Sequence, residues 1–250
     1  MDGESNVAGV AAKAGRPEDG FRNLLFARVP PEDLNGIGDS GLATIGAAAY
    51  SHLAQARTAG KPVITLEDVT VDQGGKTRTV TVLDAVNDDM PFLLDSTLAE
   101  LVKRGLEPRL VAHPILAVER DGQGALTGLA GDTTQTSTSA AKRESFIHVH
   151  LDALDDQTRA GLAEALAATY ADVAAVARDK AEMRAKLEGL SKEYRENPPP
   201  LPPQEQEEAL AFLDWLSDNH FVLMGMRASR IPEGEGMPEA LDGSGLGLLR

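Results

Sequence analysis

The densest polar cluster at a predicted strand-to-helix junction is formed by Asn87, Asp88 and Asp89. These residues stand between an alternating apolar stretch and a helix-like segment that begins near Pro91. A helix N-terminus has free N–H groups and a partial positive charge. The junction can therefore hold the carboxylate of a small amphipathic ligand while the acidic side chains hold its amino group. The competing interpretation is structural, with one aspartate capping the helix and the others solvated.

Three histidines are the candidate metal ligands. His148 and His150 share one face of a predicted strand, and His113 lies on another strand that could pair with it. Three imidazoles suit zinc, but no strand register brings His113 beside the pair and no carboxylate completes a ligand set. We therefore predict no metal site and expect the pair to be structural or to line an interface.

The remaining motifs predict no catalytic group. Ser96 and Ser145 lack the glycine-flanked elbow and the His and Asp partners of a nucleophile. The segment GSGLGLLR at 243–250 lacks the third glycine of a dinucleotide loop, because Leu248 stands in its place. Trp215 and Phe212 are expected to pack in a core or a domain contact.

The composition indicates a soluble globular protein. Of 250 residues, 42% are hydrophobic and 25% are charged. The net charge of -15 opposes binding to nucleic acid or an anionic membrane, since both require clustered basic side chains. The chain has no cysteine, no signal-peptide pattern and no run of about 18 apolar residues. We expect a cytoplasmic protein that binds neither nucleic acid nor membranes.

Hydrophobic periodicity places the junction in an α+β domain. We predict disorder over residues 1–20, then a helical segment that ends at Gly60 and a short extended piece at 61–68. The elements that follow are a strand at 77–86, a helix at 91–105, a strand at 107–120 interrupted by Pro114, and a strand at 144–151.

The second half of the chain is predicted to be mostly helical. An Ala-rich stretch at 158–190 forms one helix, or two helices broken near Tyr170. The Pro-rich linker at 194–203 is the clearest domain boundary. Residues 204–250 then form a helix and a strand that either begin a following domain or close the sheet. We favour helix over 171–193 and expect the strand near 220–230 to join a sheet.

The predicted order of elements is a split βαβ pattern, which builds an antiparallel sheet with two helices on one face. We assign residues 1–76 to a disordered N-terminus and helical segment, and residues 77–193 to the α+β domain. On residues alone this is a non-catalytic module with a role in binding a small ligand or in pairing subunits.

Four segments carry a resemblance to a known family: VNDDMPFLLDS at 86–96, ESFIHVHL at 144–151, EALAFLDWLSDNHFVLMGMR at 208–227, and GSGLGLLR at 243–250. With His113 and Pro114 between them, their order and spacing resemble the N-terminal region of the large bacterial NAD-specific glutamate dehydrogenases. The resemblance implies an ACT-like, ferredoxin-like βαββαβ fold with an N-terminal helical segment and a C-terminal helix-strand extension.

The same resemblance implies a homo-oligomeric, multidomain parent enzyme. Its reaction converts L-glutamate, NAD and water to 2-oxoglutarate, ammonium and NADH, with the catalytic domain far beyond residue 250. We therefore expect no catalytic residue and no cofactor in this chain, and NAD in the parent enzyme. The expected role is regulation and self-association. The alternative is a stand-alone amino-acid-sensing or protein-interaction module.

Many ACT domains bind an amino acid at the loop after their first strand. That loop corresponds here to Asn87, Asp88, Asp89, Met90, Phe92, Leu93 and Leu94. Ligand-binding members commonly have glycine after the proline of this loop, which allows backbone to approach the ligand closely. This sequence has Phe92 after Pro91, which makes oligomerisation or domain packing a strong competitor to ligand binding.

Overall fold

The described part of the chain forms two compact units. The computed structural model describes residues 17–35, 37–73, 76–133, 141–232 and 236–250. The first unit comprises the chain up to Asp89 together with Arg104–Arg159, and the second comprises Met90–Lys103 together with Ala160–Arg250. The disorder predicted for residues 1–16 lies outside the described residues. The disorder predicted for residues 17–20 is wrong, because a helix begins at Pro17.

The first unit consists of three N-terminal helices and one antiparallel sheet. Its helices are α1 (Pro17–Phe26), α2 (Pro31–Leu34) and α3 (Asp39–Ala54). Its strands are β1 (Val63–Gln73), β2 (Lys76–Asp88), β3 (Leu110–Ala112), β4 (Ile115–Arg120), β5 (Leu126–Asp132) and β6 (Lys142–Asp152). The strand order is β1-β2-β6-β4-β5, and β3 also pairs with β6. This arrangement confirms the prediction of an ACT-like α+β fold.

One predicted strand is divided in two. The strand expected at 107–120 is split into β3 and β4 at His113 and Pro114, since proline has no N–H to donate to a neighbouring strand. Both halves pair with β6. Pro114 therefore lies inside the sheet, where its carbonyl accepts a hydrogen bond from the Phe146 N–H at 3.1 Å.

Strand β1 corrects the prediction for residues 61–68, and the strands near 220–230 lie outside its sheet. Residues 61–68 were expected to form only a short extended piece, but β1 runs for 11 residues and pairs with β2 from Val63↔Val86 to Gln73↔Lys76. A strand near 220–230 was expected to join a sheet, and two short strands in this region do pair with other strands. The described residues there form only two-residue strands in separate two-stranded sheets. Thus the sheet edge beside β2 is formed by a strand that precedes it in sequence.

The N-terminal helices cover one face of the sheet. Phe21 of α1 meets Phe146 of β6 edge to face, with ring centroids 5.2 Å apart. The buried core of this unit includes Leu25, Ile45, Leu53, Val80, Val82, Val86, Leu110 and Phe146. Gly46 allows α1 and α3 to approach closely, because a Cβ at this position would lie 2.9 Å from Arg22 Cβ. This glycine serves helix packing, although it weakens helix propensity.

The second unit is mainly helical. It contains α4 (Leu93–Lys103), most of α5 (Asp156–Glu196), α6 (Pro203–Trp215), a π-helical turn (Leu216–His220), and the short strands β7 (Gly225–Met226), β8 (Ser229–Arg230), β9 (Glu239–Ala240) and β10 (Leu246–Gly247). Helix α5 continues without a break past Tyr170, whose hydroxyl shares a 2.7 Å hydrogen bond with Thr97 of α4. The expected helix over 171–193 is therefore present.

Helix α5 also bears on the question of membranes. By length and composition it meets the criteria for a helix that could cross a bilayer, which the core helix of a soluble protein also meets. The absence of a membrane partner stays a prediction.

Candidate functional site

The acidic side chains predicted to hold a ligand are occupied by groups of the chain itself. Asp88 accepts hydrogen bonds from the Arg57 guanidinium and from the Gly60 N–H, the latter at 2.7 Å. Partial burial by itself would raise the pKa of Asp88, but the bonds from Arg57 hold that pKa below its usual range. Asp89 pairs with Arg143 at 2.9 Å. A ligand's amino group would have to displace an arginine from either carboxylate.

Asn87 is the residue of this predicted loop that retains hydrogen-bonding capacity. It is 3% exposed, and its Oδ1 has no hydrogen-bond partner among the described residues. Its cross-strand neighbour is Ser145, whose hydroxyl shares a 2.7 Å hydrogen bond with His113 Nε2. Asn87 is too buried for a ligand in solution to reach it without a local rearrangement, so ligand binding at this loop stays a prediction.

The rest of the predicted loop lies in the second unit. Leu93 is buried at the start of α4, and Met90 and Leu94 are half-buried. Phe92 is 46% exposed and has a backbone φ of +72°, the only positive value at a non-glycine position among the described residues. Phe92 thus adopts the left-handed conformation that glycine adopts without strain.

Replacing Phe92 tests this strain. We expect the Phe92→Gly variant to be more stable than the Phe92→Ala variant by about 1 kcal/mol, because a left-handed conformation costs a residue with a Cβ roughly that much. Both variants lose the same ring, so their difference isolates the backbone. Urea unfolding of the two variants measures it, and an alanine variant as stable as the glycine variant would contradict the assigned conformation.

A second polar cluster, the histidine network, is buried between α3 and the sheet. It consists of His52, Asp84, His148 and His150. The Asp84 carboxylate accepts hydrogen bonds from His52 Nδ1 at 2.6 Å and from His148 Nδ1 at 2.5 Å. His148 Nε2 lies 2.8 Å from His150 Nε2, so one proton is shared between these two rings. Strand register explains the arrangement, because Asp84 pairs directly with His148.

Burial and pairing set the protonation of this network. Burial by itself would raise the pKa of Asp84, but His148 and His52 lower it below its usual range. Burial opposes protonation of His52, yet its bonds to Asp84 and a 3.4 Å contact with Glu67 raise its pKa. Burial, reinforced by the neighbouring His148, lowers the pKa of His150 to about 3. Near neutral pH, Asp84 is anionic and His150 is neutral.

A third cluster, the arginine network, joins Glu144 to Arg57 and Arg120. Glu144 is fully buried, and its carboxylate receives Arg57 Nη2 at 2.6 Å and Arg120 Nε and Nη2 at 2.8 and 2.9 Å. Arg120 also donates to the backbone carbonyls of Leu53 and Gly124 at 2.8 and 2.9 Å. These bonds fix the end of α3 and the β4–β5 turn to the sheet.

The arginine network depends on one glycine. Gly124 has a φ of +86°, and a Cβ there would lie 2.1 Å from the Arg57 carbonyl oxygen. Its own carbonyl accepts the Arg57 N–H at 3.1 Å. Desolvation lowers the pKa of Arg57, but Asp88 and Glu144 raise it overall, so the guanidinium stays charged. The charges are paired within the network, as burial requires.

The two networks are built for structure. His52, Asp84, His148 and His150 are at most 5% exposed, so a substrate in solution cannot reach them. The structure brings His148 and His150 together, and His113 Nε2 shares a hydrogen bond with Ser145 Oγ. The described residues contain no group of three or more acidic or histidine side chains arranged to hold a metal ion. That the histidine pair is structural or lines an interface, without a metal, stays a prediction.

Sequence reasoning missed His52, Asp84 and the arginine network. One signal was available for Asp84: in TVTVLDAV it occupies the same alternating face as Val80, Val82 and Val86, so it had to be buried with a partner. No comparable signal identifies His52 or Arg57, because both reach their partners across more than 30 positions of sequence.

The fold and its sealed polar core define an ACT-like α+β domain. The family model described as "Glutamate dehydrogenase, ACT1 domain" matches residues 21–166. The chain belongs to this glutamate dehydrogenase ACT1 domain family. The match begins at Phe21, well before the predicted domain start at residue 77, so it includes α1, α3 and β1.

Three similar proteins are named NAD-specific glutamate dehydrogenase. The chain is 29% identical to the NAD-specific glutamate dehydrogenase of Halomonas elongata over 93% of its own length and 14% of that protein. It is 27% identical to the protein of that name from Pseudomonas aeruginosa and 28% identical to the one from Mycobacterium tuberculosis, with 66% and 67% of the chain aligned. The chain spans about a tenth to a seventh of the length of these relatives.

Proposed function

We propose that this chain is a non-catalytic regulatory and assembly segment of a cytoplasmic NAD-specific glutamate dehydrogenase. The parent enzyme would oxidise L-glutamate with NAD and water to 2-oxoglutarate, ammonium and NADH. The observation that carries the proposal is the ACT1 match over residues 21–166. The names of the relatives support the parent reaction and its cofactor.

The buried chemistry supports a non-catalytic role for the chain itself. Its strongest charge clusters among the described residues are the histidine and arginine networks. Both hold the N-terminal helices and turns to the sheet. A catalytic acid or base must come within about 3 Å of its substrate, which burial of these side chains prevents. NAD and glutamate would therefore bind to other parts of the parent enzyme.

Self-association is part of the proposal. In the described part of the sheet, β1 and β5 end the main strand order, and such edges can pair with another chain. Strand β1 carries Glu67 and Asp68, and Asp68 is paired with Arg159 at 2.8 Å. Strand β5 has one acidic residue, Asp132, which is neutralised by Arg28 at 2.8 Å. On both strands an acidic side chain is paired with an arginine, so charge does not decide which edge pairs subunits.

An activity assay tests the proposed function. We expect the purified chain to produce no NADH from L-glutamate and NAD, whereas the full-length enzyme does so under the same conditions. The absorbance of NADH measures product formation by the isolated chain and by the full-length enzyme. NADH production by the isolated chain, in a preparation free of other dehydrogenases, would contradict a non-catalytic role. An inactive full-length protein would contradict the parent reaction.

A further inference from the structure

Helix α6 and the segment that follows the π-helical turn expose a surface that we call the aromatic surface. It is formed by Phe212, Trp215, Phe221, Val222 and Met224. Their exposures are 57%, 43%, 54%, 46% and 54%. Within the described side chains of α6 there is no buried residue. A 13-residue helix gains most of its stability by packing an apolar face. Large apolar side chains left together at a surface mark an interaction site.

The rings of this surface hold one another in place. The Trp215 ring stacks on Phe212 and on His220, with centroid distances of 6.1 and 5.0 Å. Phe221 meets the same indole edge to face at 5.0 Å. Ordered aromatic side chains lose little entropy on binding, which is why they act as anchors in interfaces.

Polar contacts fix α6 to α5 beneath the rings. Asp214, which precedes Trp215, accepts hydrogen bonds from Arg195 Nη2 at 2.5 Å and from Ser191 Oγ at 2.9 Å, both on α5. These bonds lower the pKa of Asp214 and keep it charged. The aromatic surface is therefore carried on a helix that is already held by its own unit.

The aromatic surface continues to the last residues of the sequence. Met224 accepts a backbone hydrogen bond from Leu248 at 2.9 Å, and β7 pairs with β10. Asp179 of α5 holds this segment through the Gly247 N–H at 2.8 Å. Leu248 and Leu249 are themselves 42% and 46% exposed. Any polypeptide that continues from Arg250 thus starts beside exposed apolar side chains.

We propose that the aromatic surface is the docking face for the part of the enzyme that follows residue 250. This rests on the proposed function, since it requires the longer enzyme chain, and the match to only 14% of the Halomonas relative leaves most of such a chain outside these residues. A segment tethered at Arg250 docks without the entropy cost that two separate molecules pay on association. Residues 203–250 then form the first elements of a following domain, whose core includes Phe212 and Trp215.

Photo-crosslinking in the full-length enzyme tests the proposal. The photoreactive amino acid p-benzoylphenylalanine replaces Phe212 in one sample and Val102 in a control. Val102 lies on α4 and is 74% exposed. After irradiation and proteolysis, mass spectrometry identifies the peptides joined to each position. We expect the probe at 212 to crosslink to peptides beyond residue 250 with at least about tenfold greater yield than the probe at 102.

Other crosslinking results overturn the proposal. Crosslinks from position 212 only to residues 1–250 of another subunit would show self-association, and a yield equal to that of the control would show a solvated surface. The readout does not depend on activity. A full-length protein that lacks glutamate dehydrogenase activity but crosslinks as expected would refute the proposed function and leave the docking face standing.

Discussion

The Glu144→Ala variant is expected to lose about 3–5 kcal/mol of unfolding free energy, the cost of leaving buried charge without its partner. Glu144 is fully buried and pairs with both Arg57 and Arg120. Arg57 is 4% exposed, and the side chain of Arg120 is also 4% exposed. Removing the carboxylate leaves two guanidinium groups facing each other in a region from which water is excluded. Chemical unfolding followed by circular dichroism measures the loss.

Two comparisons separate the buried charge from a simple change of volume. Replacing the exposed Glu107 with alanine should change the unfolding free energy by less than about 1 kcal/mol, since its ion pair with Arg109 is at the surface. The Glu144→Gln variant keeps the volume of the side chain but removes its charge, so it should lose most of the same stability. A Glu144→Ala variant as stable as the original protein would show that the network is solvated.

The second large effect is a dependence of stability on acidity that comes from His150. Its pKa falls from 6.5 to about 3 on folding, so the unfolded chain takes up a proton below pH 6.5 that the folded chain refuses. The free energy of unfolding must therefore decrease as the pH falls from about 6.5 towards 3. One such proton contributes a slope of about 1.4 kcal/mol per pH unit.

Removing the imidazole should remove that slope. We expect the His150→Leu variant to lose stability less steeply than the original protein between about pH 6 and pH 4.5, by up to about 1.4 kcal/mol per unit. Urea unfolding at several pH values gives both slopes. His220→Leu, which replaces an exposed histidine, is the matched control. Parallel pH profiles for the original protein and His150→Leu would refute the burial of a neutral imidazole.

Other members of the histidine network act outside this window. The raised pKa of His52 contributes stability that is present below pH 6.5 and lost as the pH rises through its folded-state value. The lowered pKa of Asp84 contributes stability that is present above about pH 4 and lost in stronger acid. Between about pH 4.5 and 6, His150 is the histidine with a shifted pKa whose protonation differs between the unfolded and folded states.

The loop after β2 shows how far a family pattern can be extended to one chain. Phe92 stands where ligand-binding ACT domains commonly have a glycine. The structure gives Phe92 the left-handed backbone of that glycine and pairs Asp88 with Arg57. The acidic side chains of this loop take part in packing, while Phe92 has a backbone conformation that favours glycine.

The elements that the sequence determined by itself are those with strong local periodicity. The alternation in TVTVLDAV specifies β2, and the leucine stripe after Pro91 specifies α4, because each pattern repeats over neighbouring residues. The family resemblance was likewise readable from segments of this kind. The periodicity was enough to predict an α+β fold, and the family resemblance added the ACT-like assignment.

Only the tertiary structure decided which elements are neighbours. No feature of the β1 sequence assigns this strand to the edge beside β2. Likewise, His52 meets Asp84 only because α3 crosses β2. Glu144 likewise joins Arg57 and Arg120 from separate segments. Such contacts depend on strand register and on which face each helix covers, and neighbouring residues in the chain carry no information about either.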